Sequence, residues 1–413
     1  MKTLITNIGM LATAQGKGPQ KGPKQGAVSI IENTWLVMED DKITSVGTAH
    51  EAAPTDAEKI IDAKGQLVTA GLVDAHTHLV FGGWREHELS MKLKKVSYLE
   101  ILAQGGGILS TVKNTRKATK EELKNKTKKL LQRMLRLGVT TVEAKSGYGL
   151  TTETEIKMLE VVKELQKEEK ISLVSTFMGA HALPLEYKEK RAAYIDLVIN
   201  ETLPKVVEQH LAEYIDVFCE QGVFTPEESQ KILQAGKKAG LGIKCHSDEI
   251  VPIGGTPMAA KLGAISCEHL IKADDLGIAA MAKSGTIACL LPGTSFYLNS
   301  TYAPAREMIK QGVPVAFGSD FNPGSCPSNS LQLAMHIGCY KYAMTPEECL
   351  TAVTLNGAAA IGRGELTGTI EPGKDADLII WEAPNLDYLF YRYGDNLVDT
   401  VIKKGEIVVA KAY

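Results

Sequence analysis

Hydrophobic positions follow two rhythms along this chain. Near both ends they alternate with polar ones over short runs, at Thr3–Ile8, Ala27–Val37, Lys42–Val46 and Lys59–Ile61, and again at Ala376–Trp381, Asp399–Lys403 and Glu406–Val409. A period of two predicts strands with one buried face. Gly16–Gly26, rich in Gly, Lys and Pro, is predicted to be a mobile loop. Met1–Ala14 ends in Ala-x-Ala like a leader, but Thr6 and Asn7 interrupt its apolar run and it alternates like a first strand. Two β-rich ends around a different middle predict one small β-sandwich domain, residues 1–65 with 366–413, because the termini of a domain often lie close together.

The middle, residues 66–365, alternates apolar runs with helical patterns. The runs are Gln66–Val73, Thr140–Ala144, Ile171–Met178, Tyr214–Phe218, Leu241–Cys245, Ala264–Glu268, Thr286–Leu291 and Val313–Gly318. Between most of them apolar residues recur at helical spacing, as in Lys120–Leu137, Glu153–Glu169, Pro226–Ala239 and Met258–Leu262. Eight strands with intervening helices predict an α/β fold, a (β/α)₈ barrel of the TIM type. The competing doubly wound sheet would carry a Gly-rich dinucleotide turn after its first strand. Gln104-Gly-Gly-Gly-Ile108 lacks that spacing and reads as a flexible loop near the site.

Composition narrows the function. The chain has 413 residues, 44% of them hydrophobic and 23% charged, which are ordinary globular values. A net charge of −3 argues against nucleic acid or an anionic membrane as partner, and no run has the length of a membrane-spanning helix. The basic runs Lys113–Lys128 and Lys231–Lys238 lie among acidic residues and read as solvated helix faces. The seven cysteines are scattered without a C-x-x-C, the pattern of reduced thiols in a cytoplasmic protein.

The candidate chemistry sits where barrels keep it, at the C-terminal ends of the strands. His76 and His78 follow the first run, Tyr148 the second and His181 the third. His246 and Glu249 follow the fifth, Glu268-His269 ends the sixth, and Asp320 follows the eighth. His76 and His78 are two apart, so in extended backbone their imidazoles share a face. Any single histidine here could be structural, but five of the chain's nine on one rim with an Asp point to a metal centre. Imidazoles with a carboxylate suit Zn²⁺ or Fe and leave a position for water, whose pKa such a metal lowers to about 7.

These residues carry a resemblance. Gly71-Leu-Val-Asp-Ala-His76-Thr-His78, the later His, His and Asp on successive strand ends, and Gly373-Lys-Asp-Ala-Asp377-Leu-Ile-Ile together resemble the amidohydrolase superfamily over nearly the whole chain. Further stretches resemble the branch that opens the cyclic amide of 4-imidazolone-5-propanoate to N-formimino-L-glutamate in histidine degradation. They are His78-Leu-Val-Phe-Gly-Gly-Trp-Arg85, Glu143-Ala-Lys-Ser-Gly-Tyr148-Gly-Leu150, Phe177-Met-Gly-Ala-His181-Ala-Leu-Pro184, His246-Ser-Asp-Glu249 and Gly318-Ser-Asp320-Phe-Asn322-Pro-Gly324-Ser325. The resemblance implies His76, His78, His246 and Asp320 as ligands of one metal ion, Zn²⁺ or Fe, and a homodimer. It implies Arg85 and Tyr148 on the substrate's propionate, the guanidinium suiting a carboxylate through paired hydrogen bonds. Glu249 would bond the ring nitrogens, while His181 and His269 would stabilise developing charge. Asn322, Gly324 and Ser325 would close on the polar tail, and Asp320 would carry the water's proton to the departing nitrogen.

Two-metal relatives place a carboxylated Lys at the end of the fourth strand, which here reads Asp216-Val-Phe-Cys-Glu220, so one metal is expected. Lys145 and Lys244 near other strand ends read as charge partners. The competing activity is release of ammonia from a purine or pyrimidine, which needs the metal but not an anion clamp. A scaffold without turnover is the third reading, and it has no use for a full ligand set.

Overall fold

The computed structural model describes residues 1–48, 50–94, 96, 100 and 106–411. Gln104 and Gly105 of the proposed glycine loop lie outside the described residues. Among these residues the middle of the chain forms eight parallel strands: β1 (Leu72–Asp74), β2 (Val139–Lys145), β3 (Ser172–Ala180), β4 (Tyr214–Cys219), β5 (Gly242–Ser247), β6 (Ser266–His269), β7 (Ile287–Leu290) and β8 (Val315–Phe317). Each pairs with its sequence neighbour, from β1 through to β8. The seam between β8 and β1 closes just beyond the strands, where Asp320 N–H donates to His76 O at 3.0 Å and His78 N–H to Phe321 O at 2.9 Å.

The helices cover the barrel as their apolar spacing requires. In Lys120–Arg136, capped by Thr119 and Glu122 in a reciprocal box, Leu123, Leu130, Leu131 and Met134 are buried. Its outer face carries Lys120, Lys124 and Lys128, which pair with Glu160, Glu164 and Glu168 on the next helix, Thr152–Glu168. The basic run is thus a solvated helix face laced with ion pairs.

Both termini build a second, continuous eight-stranded sheet with its own core of Ile5, Leu36, Val68, Leu378 and Ile402 among others. Two sequence expectations change here. The first apolar run does not form one barrel strand: Leu67–Ala70 pairs with Met10–Ala12 and Leu378–Ile380 in the terminal sheet, and only Leu72–Asp74 enters the barrel. The switch is abrupt, with Gly71 N–H bonding Asp377 O and Leu72 N–H bonding Gly138 O. Apolarity on both faces is the same signal for either sheet, so the run alone does not reveal the break. The first strand, Lys2–Thr13, takes up nearly the whole Met1–Ala14 run, as read from the sequence, passing through an irregularity between Ile5 and Ile8 with Asn7 left-handed. Finally, Gly16–Gly26 is anchored rather than loose. Residues Gly22–Gly26 form a 3₁₀ turn, and the fully buried Gln25 side chain exchanges two 2.9 Å hydrogen bonds with the Val315 backbone.

Candidate active site

The closing seam brings the first and last strand ends together, and with them the chemistry. His76 and His78 flank a bridge between Thr77 and Phe321 beyond the end of β1, in extended backbone that keeps both rings on one side. Their ring centroids are 5.3 Å apart. Gly318 permits the seam to close: a Cβ there would lie 2.5 Å from the Cβ of His76. Asp320 and His269 both have left-handed φ, +52° and +70°, a conformation costly for such residues and concentrated at functional sites. At His269 it ends strand geometry, so that Glu268 and His269, though consecutive, both serve the barrel mouth.

Four donor atoms converge. The Nε2 atoms of His246 and His78 lie 3.4 Å apart, and Oδ1 of Asp320 is 3.4 Å from His76 Nε2 and 3.8 Å from His78 Nε2. His76, His78 and His246 place ring nitrogens within 4.8 Å of one another, and His269 joins His76 and Asp320 within the same reach. The other ring edges show which nitrogens are free to ligate. His76 Nδ1 meets Glu268, and His246 Nδ1 lies 3.0 Å from Asp216 Oδ2. A proton held on His76 Nδ1 by Glu268 leaves its Nε2 lone pair aimed at the common point, while the Nδ1 edge of His246 faces the carboxylate charge of Asp216. His76 Nε2 has no hydrogen-bond partner although fully buried. Burial, first of all, holds the pKa of His76, His78 and His246 well below the usual imidazole value. Three neutral imidazoles and a carboxylate facing one point fit a single divalent cation. A second grouping, His76 with Glu268 and Cys289, is a packing contact: burial keeps the Cys289 thiol protonated, and Glu268 is already held by lysines.

Beneath the cluster lies an ionic layer in which no side chain is exposed. Lys145 Nζ sits 2.8 Å from Asp216 Oδ2, 2.9 Å from Glu143 Oε1 and 3.5 Å from Glu268 Oε2. Lys244 Nζ is 3.0 Å from Glu143 Oε1 and 3.1 Å from Glu268 Oε1. The two lysines are charge partners, as expected, and their partners orient His76 and His246. Sequence reasoning assigned no role to Glu268, Asp216 or Glu143. The available signal was the i, i+2 spacing of Glu143 with Lys145 and of Lys244 with His246, which puts each pair on the inner face of one strand.

Above the cluster opens a cavity of ≈ 570 Å³ lined by His78, Arg85, Tyr148, His181, His246, Glu249, His269, Asp320, Asn322, Gly324 and Ser325. Every residue given a ligand, substrate or catalytic role from the sequence lines it except His76, which lies fully buried below. Lys92 also lines it and was not anticipated. His181 stacks on His78 with ring centroids 4.8 Å apart, and its Nδ1–H donates to Gly147 O at 3.1 Å. Burial lowers the pKa of His181 to about 4, so its Nε2 is an acceptor at neutral pH. Burial, assisted by Glu220, pushes Glu249 up to about 7, and its Oε2 lies 3.7 Å from His269 Nε2. Burial likewise raises Asp320 to about 6 against the opposing charge of His269 and a hydrogen bond from Thr294. The loop after Asp320 is set by Asn322, whose side chain accepts from Gly324 N–H and Ser325 N–H and donates to Asp320 O.

Known proteins align with this arrangement. The profile of the Amidohydrolase family matches residues 67–408. An imidazolonepropionase of Alkaliphilus metalliredigens strain QYMF is 53% identical over 413 residues, covering 99% of this chain and 98% of its own length. One from Bacillus cereus strain G9842 is 51% identical over 100% of this chain and 97% of its own. Among solved structures, triazine hydrolase from Arthobacter aurescens superposes with a TM-score of 0.74 at 16% identity over 99% of this chain and 95% of its own. Guanine deaminase of E. coli superposes at 0.73 and 14% identity over the whole of both chains. At such identities the two structures speak for the barrel fold alone. The chain belongs to the Amidohydrolase family and, within it, to the imidazolonepropionases.

Proposed function

We propose that this chain hydrolyses the ring amide of 4-imidazolone-5-propanoate to N-formimino-L-glutamate, with residues 66–365 carrying the catalytic barrel and residues 1–65 and 366–413, completed by the strand Leu67–Ala70, forming a composite β domain. What carries the reading is one cavity that holds a histidine–aspartate cluster suited to a cation together with a guanidinium suited to a carboxylate. His76, His78, His246 and Asp320 hold one metal ion, Zn²⁺ or Fe. When bound, such an ion acidifies a water to a pKa of about 7 and polarises the scissile carbonyl.

The chain's own groups do the rest. Arg85 and Tyr148 hold the propionate, and Asn322, Gly324 and Ser325 supply the loop around it. Glu249 fixes the ring through its nitrogens. The water oxygen joins the ring carbonyl carbon, the carbon–nitrogen bond breaks, and Asp320 carries a proton from the water to the departing nitrogen. Charge that grows on the carbonyl oxygen needs a donor. His181 presents an acceptor, having spent Nδ1–H on Gly147, so that part falls to His269. His181 then accepts from a ring N–H. A homodimer belongs to the same proposal, to be read by light scattering.

Substrate class is decided by product. Incubation with imidazolone propionate is expected to give formiminoglutamate and no ammonia; ammonia from guanine or cytosine, with imidazolone propionate untouched, would replace this reading by the deaminase one.

Metal affinity gives a separate prediction. Since burial already keeps the three histidines neutral, the metal has no imidazole protons to displace above pH 5.5. Asp320, at about 6, is the group that must lose one. Its ionised fraction rises about fourfold between pH 5.5 and 7.5, so affinity should strengthen about fourfold over that range. Three ordinary imidazoles titrating near 6.5 would instead give roughly a thousandfold. Competition titrations against a chelator of known pH dependence distinguish the two.

A further inference from the structure

The carboxylate end of the cavity poses a question of charge. Arg85 donates from Nε and Nη2 to the two carboxylate oxygens of Glu88, at 2.9 and 3.0 Å. Glu88 is fully buried and also accepts Gly107 N–H at 2.6 Å, so this ion pair is a fixed part of the wall. One forked edge of the guanidinium, Nε with Nη2, is therefore taken, and its charge is largely offset by its neighbour, although Nη1 stays free of Glu88. An Arg–Glu pair of zero net charge gives a cavity little reason to prefer an anion over a neutral group of the same shape.

Lys92 changes the sum. Its Nζ lies 3.3 Å from Glu88 Oε2 and donates to Gly324 O at 2.7 Å, and its side chain, 23% exposed, lines the same cavity as Arg85. Arg85, Lys92 and Glu88 together carry a net charge of +1. Burial and then the charge of Arg85 push the Lys92 pKa below its ordinary value, against the opposing pull of Glu88. A carboxylate entering the cavity relieves that excess. The second bond of Lys92 matters as well. Gly324 packs so closely on Arg85 that a Cβ there would lie 2.1 Å from Nη1, so Lys92 ties the loop to the guanidinium it covers.

We propose that Lys92 is a substrate-binding residue that supplies the uncompensated positive charge by which this cavity selects a substrate bearing a carboxylate. The inference rests on the imidazolone propionate reading and adds to it the group that sets anion selectivity.

The test compares wild type, Lys92→Met and Lys92→Arg, each metal-loaded, in two assays. Calorimetric binding of 3-(imidazol-4-yl)propanoate is set against binding of the corresponding propanamide, and KM and kcat are measured with imidazolone propionate. For Lys92→Met the carboxylate ligand should bind roughly ten- to hundredfold more weakly, the loss expected for one charged hydrogen bond, while the amide is little affected. KM should rise by more than kcat falls, and Lys92→Arg should restore most of the preference. Equal weakening of carboxylate and amide would reduce Lys92 to a clamp on the Gly324 loop and overturn the proposal, as would an unchanged preference. If wild type does not open imidazolone propionate, it is the functional reading that fails, and the carboxylate-to-amide comparison still decides Lys92.

Discussion

Asp320→Asn is expected to lower turnover of imidazolone propionate a hundred- to ten-thousandfold, the range associated with a positioned proton carrier, while leaving the fold intact. Asn has the same shape and accepts the left-handed φ of +52° at this position more readily than most residues. The backbone bond from residue 320 to His76 O, which helps to close the barrel, does not depend on the side chain. What disappears is the carboxylate charge beside His76 and His78 and the oxygen that takes and returns a proton. Elemental analysis must accompany the kinetics. Turnover near the wild-type rate at full metal content would show that Asp320 does not carry the proton.

Lys145→Met carries the largest expected stability effect, a loss of about 3–5 kcal/mol, the scale seen when one partner of a buried ion pair is removed. Lys145 is fully buried among Asp216, Glu143 and Glu268, and the methionine cannot neutralise them. Lys244 alone would face three carboxylates. The protein can respond only by binding protons, so the variant should recover part of its stability as the pH is lowered. Protonated Asp216 would also withdraw the negative charge that faces the Nδ1 edge of His246, coupling the defect to metal affinity. Urea unfolding of the metal-free proteins at two pH values measures the loss of stability and its partial recovery at the lower pH. A change below about 1 kcal/mol would mean that the ionic layer is not what holds the barrel mouth together.

The histidines and Asp320 were legible in the sequence because their chemistry restricts the residue type and the barrel restricts the position: a metal centre needs imidazole and carboxylate, and strand ends are where a barrel can gather them. The eight barrel strands were legible for a similar reason, since helical periods fall between most of the apolar runs. Other features depend on contacts between distant segments. Leu67–Ala70 and Leu72–Asp74 are one run in sequence, and only their hydrogen-bond partners, Asp377 against Gly138, divide them between two sheets. Gly16–Gly26 has the composition of a loose loop, yet Gln25 reaches Val315, 290 positions away. The sequence suggested an anion contact for Arg85 but not that Glu88 pairs with it, so the part proposed for Lys92 could not be seen. The roles of Glu268 and Asp216 were hidden in the same way, because an inward carboxylate says nothing of which histidine it faces across the barrel.

The most direct test of the account follows the ring absorbance of freshly generated imidazolone propionate, with the protein as isolated, after chelation, and after metal is restored. The account predicts decay well above the spontaneous rate, abolished by the chelator and recovered with Zn²⁺ or Fe. Decay no faster than the spontaneous rate, in protein shown to carry its metal, would contradict it.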